Sequence, residues 1–348
     1  MTVTLDSPPR TTPPGRAGAA GPRLAGLALA LGVLAALAAL SVTLGVRDVS
    51  WADLRAALGG LDENVSQAAV HKRIPRTLLA MLVGAALGLA GAVMQGVTRN
   101  PLADPGILGV TSGASLAVVS GIAFFGLSTP TGFISVAIAG AAVSAVFVYV
   151  VGSLGRGGAT PLKLALAGAA TTAAFSSLIS AILLPRIAVM DSFRFWQIGG
   201  VGGASTSRIL AVLPFLVVGA LVCLVVARGL NALALGDDLA AGLGERVALT
   251  RAAAATGAVL LCGAATAVAG PIGFVGLVVP HACRLVAGSD HRWLLPLSMV
   301  VGAALLTAAD LVGRLIARPA EVDVGIITAL VGAPVFIIIV RRMRGRAL

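Results

Sequence analysis

The stretch "LLAMLVGAALGLAGAVMQGVTRNPLADPGILG", Leu78 to Gly109, decides the fold. Its first part, to Val97, holds no charged side chain and is long enough to cross a bilayer core, which takes about 20 residues at 1.5 Å each. Directly after it come Arg99, Asn100, Asp104 and the two prolines Pro101 and Pro105. Prolines so close together cannot both sit inside one regular helix, because each removes a donor and crowds the turn before it. The stretch reads as a spanning helix ended by a break kept close to the membrane.

Working outward, ten apolar stretches of spanning length appear, at 24–46, 77–97, 106–126, 133–154, 162–184, 209–227, 251–270, 271–288, 294–317 and 324–341. The third and eighth are interrupted by Gly and Pro. With 58% hydrophobic and 11% charged residues over 348, there are too few polar side chains to cover a soluble core. The expected class is an all-α polytopic membrane protein. The expected organisation is a disordered cytoplasmic tail over 1–23, one transmembrane domain over 24–342 and a short cytoplasmic tail over 343–348. The first apolar run is too long for a signal-peptide core and lacks a cleavage site, so it reads as a retained helix.

With the N-terminus inside, fifteen of the 25 basic residues fall in inside segments, among them Arg99, Lys163, Arg251 and Arg341. The bias favours both termini in the cytoplasm. The net charge of +11 then reflects topology and contact with anionic lipid. Nucleic acid is not indicated, since aromatics are 4% and the basic residues are scattered. Cys223, Cys262 and Cys283 lie far apart in or beside apolar spans, and His71, His281 and His291 make no metal-ligand spacing with them.

The order of elements recurs. After the first helix the chain reads helix, break, short Gly-rich helix and two full helices. After the sixth, "TGAVLLCGAATAVAGPIGFVGLVVPH" supplies a helix, a Gly270-Pro271 break and a short Gly-rich piece, and two spans follow. Helices two to five then match helices seven to ten with opposite direction, an inverted repeat of the kind that builds transport pathways. Gly84 and Gly88, one turn apart, suit close helix approach in lipid. Between spans six and seven, Asp237 to Ala241 can form one or two helical turns bounded by Gly236 and Gly242, with both aspartates at the favoured end of the helix dipole.

Catalytic signatures are missing. "GGVGGAS" (Gly199–Ser205) lacks the lysine of a phosphate loop, and no H-E-x-x-H or G-x-S-x-G occurs. The clear acid within a span is Asp310, with Arg314 one turn later to satisfy it near the outer face. An ion-coupled secondary transporter would want acids at the midplane, and a membrane scaffold would have no use for the aspartate loop.

Four segments in order, "KRIPRTLLAMLVGAALGLAGAVMQGVTRNPLADPGILGVTSGA", "LALGDDLAAGLGERV", "AGPIGFVGLVVPHACRLVAGSDHRWLLP" and "ADLVGRLIARPAEVDVGIITALVGAPVFIIIVRR", resemble the FecCD-type permeases. These are the membrane subunits of ABC importers for ferric siderophores, haem and cobalamin. The resemblance covers about Trp51 to Arg342 and implies a type II importer permease in the bacterial cytoplasmic membrane. It implies a second permease subunit, identical or related, two cytoplasmic ATPase subunits and an extracytoplasmic binding protein or lipoprotein. ATP and Mg would be bound by the ATPase, and this chain would hold no cofactor and no metal. By the same resemblance, Arg73, Arg76 and Arg314 dock the binding protein's carboxylates. Asn100, Pro101 and Leu102 form a cytoplasmic gate. Leu235, Gly236, Asp237, Asp238, Leu239, Ala240, Ala241, Gly242, Leu243 and Gly244 couple to the ATPase. A ferric siderophore is the expected cargo, with cobalamin or haem as alternatives.

Overall fold

The computed structural model describes residues 20–47, 49–154 and 160–344; the expected tails lie outside this range except for 20–23 and 343–344. Among the described residues there is no strand. Fourteen α-helices follow one another: α1 (Ala20–Thr43), α2 (Trp51–Leu58), α3 (Val65–Thr98), α4 (Val110–Phe125), α5 (Pro130–Ser153), α6 (Pro161–Leu183), α7 (Ile187–Gln197), α8 (Thr206–Val225), α9 (Ala227–Leu233), α10 (Asp237–Gly242), α11 (Val247–Ala269), α12 (Val275–Ala287), α13 (His291–Ile316) and α14 (Val324–Arg344).

Each of the ten apolar stretches is occupied by a helix. Seven of these, α1, α3, α5, α6, α8, α11 and α13, are long and apolar enough to cross a membrane, and α4, α12 and α14 carry shorter apolar runs. α4 is short because a 3-10 turn over Pro105–Leu108 and the left-handed Gly109 precede it. α12 is short because the chain from Gly270 to Gly273 is not helical, and Phe274 takes φ 68°.

One boundary differs from expectation. The second span begins at Val65 rather than at residue 77, making α3 34 residues long with Pro75 inside it. Asn64 starts it by accepting the Gln67 amide at 2.9 Å. Hydropathy misses the polar prefix because its polar side chains, Gln67 and Arg73 among them, are buried against neighbouring elements.

α3, α11 and α13 form the core. In its most apolar stretch α3 is 78% buried, whereas α1 and α6 are 6% and 11% buried. α3 runs antiparallel along α13, with Gly84 against Gly302, Gly88 against Ser298 and Gly96 against His291. A Cβ at Gly84 or Gly88 would overlap a backbone carbonyl of α13, so the helix axes approach more closely than alanine allows. α11 lies along α5 as α3 lies along α13, and α11 meets α4 as α3 meets α12. This crossed pairing is what an inverted repeat of α3–α6 with α11–α14 requires.

The bundle has two ends. Arg23 near the start of α1 sits beside Gly288, at the end where α3 stops and α13 begins, and α14 runs back toward it. This terminus-bearing end also carries α9 and α10. The opposite, far end carries α2, α7 and the α13–α14 connection.

Candidate functional sites at the two ends of the bundle

At the far end the three arginines come together around Asp310. Arg76, on α3, forms an ion pair with Asp310 Oδ1 at 2.9 Å and a second one with Glu321 at 2.6 Å. Arg314, one turn after Asp310 on α13, pairs with Asp310 Oδ2 at 3.0 Å. Its remaining donors go to α1, where Nη1 donates to the Ser41 carbonyl at 2.9 Å and Nη2 meets the Ser41 hydroxyl. Arg73 donates to the carbonyls of Thr43 at 2.8 Å and Arg47 at 2.6 Å. Arg73 and Arg314 thus satisfy carbonyls left open where α1 ends.

This geometry corrects one positional expectation. Arg73 and Arg76 lie within α3 and do not precede it. Arg73 is 7% exposed and Arg314 2%, so both guanidinium groups are turned into the bundle. Arg76 stands nearer the surface, and its partner Glu321 has a side chain 41% exposed.

Beside this network, a cavity of about 350 Å³ opens between α5, α7, α8 and α11, lined by Trp196, Arg208 and Asp323 among others. Glycines at the breaks allow the close packing beneath it: Gly200 donates to the Ala269 carbonyl at 2.8 Å and Gly325 to that of Gly199 at 3.0 Å. Among the described residues, no group of three or more His, Cys, Asp or Glu side chains comes together as a metal site. The three cysteines are free and buried.

At the terminus-bearing end, Arg99 closes α3 in the left-handed conformation (φ 51°, ψ 30°). The Asn100 side chain then accepts the Leu102 amide at 2.9 Å, and the Asn100 carbonyl accepts the Ala103 amide at 3.1 Å. Asp104 accepts the Gly106 amide at 2.8 Å and starts the 3-10 turn. The two prolines therefore occupy a turn held by side-chain caps rather than a distorted helix. Asn100 is exposed, and Pro101 and Leu102 are half-buried.

α10 stands on this same end. Asp237 pairs with Arg99 and, at 2.9 Å, with Arg251 of α11. Burial alone would raise the Asp237 pKa, but the hydrogen bond from Arg99 and the charges of Arg251 and Arg99 hold it below the ordinary 3.8. Ala240 is fully buried on the inner side. Outward, Leu235, Leu239 and Leu243 are 58%, 63% and 70% exposed. Spaced by four in sequence, these three leucines make an exposed leucine ridge: Leu239 lies on α10, and Leu235 and Leu243 flank its two ends. The spacing was open to view in the sequence, whereas the partners of Asp237, 138 and 14 residues away, carried no sequence signal.

An all-helical bundle with an inverted repeat, broken helices and a leucine-ridged helix at one end is the build of a multi-pass membrane transport subunit. The chain belongs to the FecCD transport family, whose description matches residues 33–342. It is 44% identical to the ferric enterobactin transport system permease protein FepD of Escherichia coli over 306 residues, 87% of this chain and 91% of the relative. It is 42% identical to the iron(3+)-hydroxamate import system permease protein FhuB of Bacillus subtilis over 307 residues, 88% of this chain and 80% of the relative. Its fold matches a solved transporter described as of the metal-chelate ABC type, in an inward-facing conformation. The TM-score is 0.80 at 30% identity, with 92% of this chain and 99% of the other covered. The chain is thus a permease subunit of an ABC importer, and ATP hydrolysis belongs to separate subunits.

Proposed function

We propose that this permease carries ferric siderophores across a bacterial cytoplasmic membrane, with both termini in the cytoplasm. The observation that carries the substrate class is the pair of relatives above, whose names give two different ferric chelates as cargo. A cargo that arrives already chelated needs no metal ligands from its path. That fits the small and apolar side chains exposed on α6.

The exposed faces also indicate where a second permease subunit packs. α5 and α8 present large apolar residues such as Val143, Phe147, Leu210 and Leu221, as lipid-facing helices do. α6 exposes Leu162 and Leu166 in its first turns, and beyond them the same face carries Ala169, Ala173, Ser176, Ser177 and Ser180. Small and hydroxylated residues favour close helix contact or a wet pathway over lipid. We therefore assign this face to the path between two permease subunits, identical or related.

The terminus-bearing end meets the two ATPase subunits. The leucine ridge at α10 supports this, because three exposed leucines on and beside a short helix outside the bilayer need a protein groove to cover them. Leu235 to Gly244 form that contact, and the Asn100-Pro101-Leu102 turn closes the path beside it. ATP and Mg are held by the ATPase, and this chain carries no cofactor. At the far end an extracytoplasmic binding protein docks, with a carboxylate replacing Glu321 on Arg76. Arg73 and Arg314 support that site from within.

Uptake of radiolabelled iron, supplied as several ferric siderophores to cells with and without this chain, tests the reading. Labelled haem and cobalamin run alongside, each with an active or an inactive partner ATPase. Loss of one ferric-siderophore signal in both the deletion and the ATPase mutant is the expected result. Loss of haem or cobalamin uptake alone would replace the substrate, and uptake indifferent to the ATPase would overturn the mechanism.

A further inference from the structure

α10 is held in an unusual way. The helix before it, α9, is fastened to α13: Asn231 donates to Asp290 at 2.7 Å and accepts the His291 amide at 2.9 Å. α10 itself is bracketed by Gly236 and Gly244, with φ of 115° and 86°, and nothing lies within 4 Å of where a Cβ would stand on either. Backbone in this region is open to glycine and strained for other residues. The helix is therefore a short rigid body set off from its neighbours by two glycine turns.

Its polar link to the bundle is the Asp237 carboxylate. One oxygen, Oδ1, serves both arginines. Arg99 is the last residue before Asn100, whose side chain shapes the 100–102 turn. Arg251 sits in the second turn of α11, which packs along α3, α5 and α8. A carboxylate on this short helix thus grips, at one atom, the turn that ends α3 and a helix of the core. The side chains are about half exposed, Asp237 at 45% and Arg99 at 36%, and pairs of that exposure add little to stability. A contact of this kind can be broken and remade without unfolding anything.

We infer that Asp237 is a positioning residue that transmits displacement of α10 to the 100–102 turn through Arg99 and to α11 through Arg251. Movement imposed on the leucine ridge pulls Asp237, and Asp237 pulls the end of α3. The inference rests on the assignment of α10 to the ATPase contact.

The test uses the whole complex, two permeases with their ATPases and binding protein, in sealed vesicles. It reads labelled ferric chelate transported per ATP hydrolysed. Arg99→Gln is expected to lower that ratio at least about fivefold, the low end of measured coupling between sites. Arg99→Lys restores most of it, because the charge returns. The Asp237→Asn and Arg99→Gln double variant falls no further than the worse single variant, as expected for two residues acting through one contact. An unchanged ratio in Arg99→Gln, or losses that multiply in the double variant, overturns the inference. Leu239→Ala separates the two levels. If it weakens ATPase binding while Arg99→Gln transports normally, only the transmission role fails. If Leu239→Ala binds the ATPase unchanged, the coupling assignment fails and the transmission role falls with it.

Discussion

Replacing Arg314 by alanine is expected to cost the bundle stability first and binding-protein docking only as a consequence. Arg314 is 2% exposed and Asp310 1%. The substitution removes one of the two cations on a buried carboxylate and strips donors from the Ser41 and Leu44 carbonyls at the end of α1. Breaking a buried pair by deleting one partner costs about 3–5 kcal/mol, because the survivor is left uncompensated. Here Arg76 stays on Asp310 at 2.9 Å, so the lower figure applies. At roughly 2 °C per kcal/mol for a chain of this size, the thermal midpoint of the purified permease falls by about 6 °C. Arg76→Ala leaves Asp310 with Arg314 and costs a comparable amount, but it also removes the guanidinium nearest the surface. The assay is thermal unfolding of both variants in lipid nanodiscs, alongside capture by the binding protein at a temperature where both remain folded. Arg314→Ala should bind and Arg76→Ala should not. An Arg314 variant with an unchanged midpoint that nonetheless loses the binding protein would refute the division of roles.

Glu321→Gln frees Arg76 from its exposed partner, so the binding protein should bind more tightly to this variant in a direct titration. Leu239 is 63% exposed and burying a whole leucine is worth about 1.5–3 kcal/mol, so Leu239→Ala should weaken ATPase affinity roughly 5- to 30-fold by equilibrium binding. Gly88→Leu drives a side chain into the Ser298 carbonyl, and overpacking of about 1–3 kcal/mol should appear as a lowered unfolding midpoint. The Asp237 pKa is lowered in the folded protein, so its contribution is complete above the ordinary 3.8 and is lost as pH falls through the lower folded value. Asp290 follows the same sign: burial would raise it, but the Asn231 hydrogen bond, the Arg292 amide and the charges of Arg292 and Arg23 together hold it below 3.8. The difference in midpoint between the wild type and Asp237→Asn should therefore be constant above about pH 5 and shrink on acidification, as followed by pH-dependent melting.

Hydropathy was enough to find every long helix, since the apolar runs of α3, α8 and α13 outlast any loop. The break at 99–109 was equally legible, because two prolines admit few backbones. The start of α3 at Val65 was not, since Gln67 and Arg73 are polar by type and buried by position. Nor were the partners of the far-end arginines. Arg76 and Asp310 are separated by 234 residues, and the carbonyls that hold Arg73 belong to a helix end, which a sequence motif does not mark. The resemblance grouped Arg73, Arg76 and Arg314 by role. Folding groups them by location and then divides them, with two turned inward and one near the surface.

The packing also explains why motion falls where it does. Where Gly84 meets Gly302 and Gly91 meets Gly276, the backbones touch, and a contact without side chains cannot yield by a change of rotamer. α3, α12 and α13 are therefore expected to move as one body during transport. Displacement then has to be absorbed where the chain is already broken: at the turn after α3, at Gly270 to Phe274 before α12, and at the glycines flanking α10. Two of these three sites lie on the repeat-related breaks, and the third carries the leucine ridge. A motion imposed on α10 has a short polar route to the first break, through Asp237 and Arg99. The rigidity of the glycine-packed core is what makes so weak an ion pair sufficient, because α3, on its inner side, cannot relax the displacement away.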